Sequence, residues 1–119
     1  MPYVDGFLLP IPRRNIERYK KMARLAATVW REHGALEYRE AVGDDLKVKW
    51  GTAFPRVARA KSAETVIFAW IVYQSRAHRD RVNRKVMKDP RLAEMMQGMD
   101  MPFDMKRMAY GGFRVIVEK

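Results

Sequence analysis

Cysteine is absent from the 119 residues, so neither a disulfide framework nor a thiolate metal site is open to this chain. Histidine is scarce. His33 and His78 stand far apart, and no His-x-x-x-His or His-Glu-x-x-His pattern occurs, which excludes a two-histidine metal site on one helix. Long apolar runs are missing too. The longest, Val66 to Tyr73, falls far short of a membrane span, and the N-terminus lacks the basic start and apolar stretch of a signal peptide. There is no G-x-G-x-x-G or G-x-x-x-x-G-K-[ST] phosphate loop, and spacing assembles no Ser-His-Asp set. These absences predict a cytoplasmic chain with no metal, no cofactor and no membrane partner, folded as a single domain over residues 1–119.

Positive charge is plentiful and unevenly placed. The net charge is +10, and residues 13–33 and 75–91 each carry seven Lys/Arg against two acids. Both stretches read as helices. In the first, Asn15 is a candidate N-cap. Tyr19, Met22, Ala23, Ala26 and Trp30 then share one face, the bases take the other, and Gly34 supplies a stop. In the second, Ser75 is the N-cap, Val82 and Val86 form a narrow inward stripe, and Pro90 forces an end near Asp89.

Around them lie the strands. Tyr3 to Leu9 alternates and is stopped by Pro10 and Pro12. Ala35 to Val42 alternates with one polar face. Leu46 to Ala63 has no period and reads as a long loop. Thr65 to Tyr73 is apolar on both faces, with Val66, Phe68, Trp70 and Val72 opposed to Ile67, Ala69, Ile71 and Tyr73. A helical turn over Arg91 to Met96 and a methionine-rich loop precede a last strand from Met108 to Val117, in which Gly111-Gly112 signal a bulge or a close backbone approach. The order is strand, helix, strand, strand, helix, strand. It gives an α+β, ferredoxin-like βαββαβ fold, a four-stranded antiparallel sheet with both helices on one side. The doubly apolar third strand needs a cover on the other side, and the simplest is a second copy. A homodimer is therefore expected, with Ile67, Phe68, Trp70 and Ile71 as candidates for its face.

Several stretches carry a resemblance: Tyr3-Val4-Asp5-Gly6-Phe7, the run Trp30 to Tyr38, Ser75 to Asp80, Val86-Met87-x-Asp89-Pro90-Arg91, and the long motif from Met101 to Phe113. They resemble the bacterial family known as domain of unknown function 1428. The match covers nearly the whole chain and departs from it over residues 46–60, where Trp50 and extra bases stand. The resemblance implies the dimeric α/β-barrel superfamily, in which two sheets pack face to face. Relatives of that fold include cofactor-free monooxygenases, isomerases and haem-handling enzymes. Fold analogy alone thus suggests oxygenase- or isomerase-like chemistry, and no motif supports catalysis.

Candidate site residues follow from placement. His33, in the last turn of the first helix, suits the helix dipole. His78 lies on the inward side of its helix beside Arg79, as a general base or as a packing histidine in the first turn. Asp104, Lys106, Arg107 and Tyr110 form the densest polar group. They would surround a ligand together with Trp70 and the methionines, or else pin the loop. Asp5 on a buried sheet face needs a partner.

Three functions compete. One is a dimer binding a small organic molecule between sheet and helices, with a cavity near His78, Trp70 and residues 99–110. Another is a module presenting Arg18, Lys21 and Arg24 to nucleic acid or an acidic partner. This reading is disfavoured, because the bases sit on the helices, away from the aromatic sheet face, and an RNA-recognition signature is missing. The last is a structural or regulatory dimer without a pocket.

Overall fold

The computed structural model describes residues 1–97 and 100–119. Met99, counted in the methionine cluster and in the expected cavity wall, lies outside the described residues. The elements are β1 (Tyr3–Pro12), α1 (Ile16–Glu32), β2 (Glu37–Val42), α2 (Phe54–Val57), β3 (Glu64–Tyr73), α3 (Arg76–Met87), α4 (Pro90–Met96) and β4 (Ala109–Arg114), with 3-10 turns at Arg13–Asn15 and Met105–Arg107. The strands form one antiparallel sheet in the order β2-β3-β1-β4. The fold is α+β and ferredoxin-like, as the order of elements predicts. Among the described residues no helix is long and apolar enough to cross a membrane.

β1 runs through the two prolines expected to end it. The reason is the edge. Pro2 accepts a bond from the Val115 amide, so even-numbered residues of β1 direct their in-plane groups toward β4. β4 ends at Ala109 opposite Leu8, so at Pro10 and Pro12 the ladder lacks no donor. Asn15 precedes α1 but makes no side-chain cap; its amide donates to the Pro102 carbonyl at 2.9 Å and ties the methionine loop to α1. Ser75 does cap α3, accepting the His78 amide at 3.1 Å. Gly34 stands at φ 119°, a conformation that favours glycine, and a Cβ there would lie 3.4 Å from His78 Nε2 and Val82 Cγ2.

Register assigns the two sheet faces. Odd residues of β1 and β3 point to the helices and build two core clusters: Leu9, Ile11, Ile67 and Ala69 with Tyr19, Ala23 and Phe103; and Ile71 and Tyr73 with Val29, Val82 and Val86. Each fully buried large aliphatic contributes about 1.5–3 kcal/mol. The even face carries Val4, Leu8, Phe68, Trp70, Val72 and Phe113, and among the described residues no helix lies over most of it. Phe68 is 46% exposed and Phe113 63%. The excursion between β2 and β3 covers one end only. It contains the single helical turn α2 where a loop was expected, and Phe54 meets Phe68 edge-on at 6.0 Å.

β4 stops at Arg114, short of the expected Val117. Its register against β1 is continuous across both glycines, so there is no bulge. The close approach is real at Gly112, where a Cβ would run into the Tyr3 hydroxyl and fall 2.7 Å from its ring, whereas among the described residues nothing lies within 4 Å of one at Gly111. Gly112→Ala is expected to destabilise by about 1–3 kcal/mol. Gly111→Ala should change stability far less. Urea denaturation of the pair checks this; equal effects would contradict it.

Candidate functional site

On the helix side, α1 crosses the sheet with alanines at 23, 26 and 27 where larger side chains would close the gap, and a cleft remains beneath it. The cleft has two lobes. An inner lobe of about 180 Å³ lies between α1, the sheet, α4 and the methionine loop, and its lining is aromatic, aliphatic and thioether. An outer lobe of about 360 Å³ runs between α1 and β2, with Lys20 and Arg24 on its lining. Tyr19, Ala23, Tyr38 and Glu40 belong to both.

Glu40 is the polar centre. It projects from β2 toward the helices because it pairs with Ala69, an odd residue of β3. Tyr19 of α1 donates to Glu40 Oε1 at 2.6 Å, and Tyr38, two residues back on the same strand face, donates to Oε2 at 2.8 Å. Burial pushes the Glu40 carboxyl above its ordinary range, while the two hydroxyls pull it back. Burial and the neighbouring carboxylate raise both tyrosines above their ordinary value, so they stay protonated as donors. The result is a carboxyl group held by neutral donors at the edge of an otherwise apolar inner lobe. Such a group can accept a hydrogen bond or a proton from an occupant. Among the described residues no group of three His, Asp or Glu side chains is placed to hold a metal.

The residues singled out from sequence are dispersed. His78 Nδ1 accepts the Gln74 amide at 3.0 Å, and its ring stands edge-on to Tyr73, so it occupies the first turn of α3 as a packing group. Arg79 donates to Asp5 at 2.7 Å and to Asp80 at 2.9 Å, and its guanidinium lies 5.0 Å from the Tyr3 ring centroid. Asp5 thereby has the partner its position required. His33 Nε2 is 2.8 Å from Asp89 Oδ2, and hydrogen bonds from Arg91 and then His33 hold the Asp89 carboxyl well below its usual range. Tyr110 is exposed on β4 and stacks on Phe7 at 6.0 Å. Trp70 lies on the opposite, open face, where its indole donates to Glu37 at 3.1 Å. Of the four dimer-face candidates, Phe68 and Trp70 lie on that open face. Ile67 and Ile71 project under the helices into the core, because alternate residues of one strand cannot share a face.

Asp104, Lys106 and Arg107 are not gathered around a cavity. Asp104 caps the 3-10 turn, accepting the Lys106 amide and the Arg107 Nε. Arg107 grips Glu64 with two bonds of 2.8 and 2.7 Å and also donates to the Arg59 carbonyl. They pin the loop to the start of β3. The methionine loop does line the cleft, and neither His78 nor Trp70 is among the lining residues. Sequence reading missed Glu40. The available signal was an acid, with Tyr38, on the apolar face of an alternating strand, a position that demands hydrogen-bond donors.

The Arg107 guanidinium holds the Glu64 carboxyl down to about 2, from an ordinary 4.5. A depressed carboxylate stabilises the fold above its unfolded value and loses that contribution as pH falls through its folded value. Arg107→Ala should therefore be less stable by about 2–3 kcal/mol above pH 5. The gap should narrow as pH falls from 4.5 toward 2. Urea midpoints at a series of pH values test this, and a gap independent of pH would refute it.

The chain belongs to the family described as "Protein of unknown function (DUF1428)", whose model matches residues 2–105. It is 42% identical to the uncharacterized protein YbaA of Escherichia coli (strain K12), over the whole of both chains. Among solved structures, it is similar to an uncharacterized NIPSNAP domain protein from Burkholderia xenovorans, with a TM-score of 0.60 at 12% identity over 95% of this chain and 93% of that one. A dimeric ferredoxin-like protein from an uncultured marine organism matches with a TM-score of 0.52 at 12% identity, over all of both chains. At such identities these two likenesses establish the fold alone.

Proposed function

We propose that this protein is a homodimer that binds a small, largely apolar organic molecule in the cleft between α1 and the sheet. The observation that carries the reading is the Glu40 carboxylate, held by Tyr19 and Tyr38 where an apolar inner lobe meets an outer lobe lined by Lys20 and Arg24. A core needs no such group. Burying a carboxylate among neutral donors costs stability, and its placement at the wall of a cavity gives it a use. Cavities of this kind, apolar with a few convergent polar atoms, are the usual form of small-molecule sites. Dimerisation is supported by the half-exposed aromatic face of the sheet, and a ferredoxin-like protein of the same fold is dimeric.

Ala23 lines both lobes, so Ala23→Met fills the cleft from α1. Nile red, a neutral apolar dye, is expected to bind the native protein with enhanced fluorescence. It should lose most of that signal in Ala23→Met, while the melting temperature holds or rises. Dye binding unchanged by the substitution would sink the cleft as the site. Light scattering should report a dimer at micromolar concentration, and a stable monomer would refute that half of the reading.

A further inference from the structure

We propose that the occupant of this cleft is a ring-sized apolar acid bearing a hydroxyl, its anion at the outer rim by Lys20 and Arg24 and its hydroxyl donating to Glu40 where the lobes meet. This rests on the cleft being a ligand site and adds the chemistry of the ligand.

Among the described residues, the polar side chains of the inner lobe offer the cleft acceptors only. With both tyrosine hydroxyls donating to it, the Glu40 carboxylate presents acceptor oxygens, with about four lone-pair directions on the two of them. Tyr19 fills one on Oε1 and Tyr38 one on Oε2, so each oxygen retains a further acceptor site. Both tyrosine hydroxyls have committed their protons to Glu40 and can offer the cleft only lone pairs. Trp30 also lines the inner lobe, but its indole N–H is bonded to Asn83 at 3.1 Å. A ligand carbonyl or ether placed here would face lone pairs, whereas a hydroxyl would be matched. The rest of the inner wall is apolar and demands an apolar body.

The rim has the opposite character. Lys20 and Arg24 are the charged side chains on the outer lobe besides Glu40, and both are cationic. Lys20 meets Glu17 at 3.3 Å on the exposed helix surface, a pair weak enough to yield to a ligand anion. The basic outer face of α1 adds to the field and concentrates anions at this mouth. A cation would satisfy Glu40 but would be repelled at the rim.

Four naphthalene probes separate these terms on the full chain by fluorescence titration: a hydroxynaphthoate, the matching methoxynaphthoate, naphthol and naphthylmethylamine. The hydroxynaphthoate should bind about tenfold or more tighter than the methoxynaphthoate, which leaves Glu40 facing an ether. Glu40→Gln should shrink that ratio toward one, because an amide can donate to the ether. Naphthol should bind less tightly than the hydroxynaphthoate, and Arg24→Gln should reduce the advantage of the acid. Equal binding of all four, or tightest binding of the amine, overturns the assignment while leaving the cleft as a site. Failure of every probe to bind overturns both.

Discussion

With the open sheet face as the interface of the proposed homodimer, a Phe68→Asp variant is expected to run as a monomer at concentrations where the native protein associates. Phe68 stands in the middle of the open sheet face, 46% exposed, with Trp70 at 5.7 Å and Phe54 at 6.0 Å between ring centroids. Leu8 is its neighbour on β1, and Val4 and Phe113 continue the apolar surface toward β4. A two-fold axis through this face would bring the patch against itself. Each carboxylate would then be desolvated among aromatics, and a symmetric interface receives the charge twice. Loss of apolar contact plus like-charge repulsion comes to several kcal/mol, a weakening of more than about a hundredfold in dissociation constant. In the isolated subunit the same change touches a half-exposed residue on one face of a strand and should cost only about 1 kcal/mol. Sedimentation equilibrium over a concentration series separates the two, and Phe68→Leu serves as the control that should remain dimeric. A Phe68→Asp protein that still dimerises as the native does would place the interface elsewhere.

How much of this was legible in the sequence depended on the range of the signal. The sheet and its two long helices could be read because alternation and the helical period are local, and because Ser75, Gly34 and Pro90 act within a few residues of where they stand. β1 runs past the stop that Pro10 and Pro12 signal locally, because whether they interrupt a strand depends on how far β4 extends alongside, which is non-local information. Alternation separated Phe68 from Ile67 on β3, but nothing local said which set met the helices. The polar candidates fared differently. Arg79, Asp104 and Arg107 are conspicuous as charges, yet carboxylates and a carbonyl hold the two arginines, while Asp104 accepts the Lys106 amide and the Arg107 guanidinium. Glu40 is inconspicuous as a charge and became interesting through Tyr19, 21 residues away. Partnership across elements, rather than residue type, distinguished the candidate site from the struts.

The strut of greatest consequence is Asp5–Arg79. It joins the sheet to α3, and the two side chains are only 10% and 19% exposed. Burial raises the Asp5 carboxyl, while the Arg79 charge and bonds from Tyr73, Asn83 and Arg79 oppose the rise. For Arg79, burial works against the charge, and the Asp5 and Asp80 carboxylates outweigh it. Arg79→Ala removes the cation and leaves Asp5 buried with neutral donors only, an uncompensated charge costing about 3–5 kcal/mol. It also removes the guanidinium from the Tyr3 face, so the loss is not of charge alone. Arg79→Lys keeps the charge and loses the fork and the stacking, and should recover only part. In Arg79→Ala the Asp5 carboxyl should rise further above its ordinary value. A group raised in the fold binds its proton more tightly there than in the unfolded chain, so it destabilises progressively as pH rises through that interval. The deficit should thus be largest at neutral pH and narrow as the pH falls toward the ordinary carboxylate range. Combining Arg79→Met with Asp5→Leu should cost much less than the sum of the single changes, because no charge is then left unpaired. Urea denaturation of the single and double variants at pH 7 and again near pH 4.5 reads all three expectations. Additive losses that do not vary with pH would mean that Arg79 acts as packing, and that the ion pair is incidental to how α3 is held.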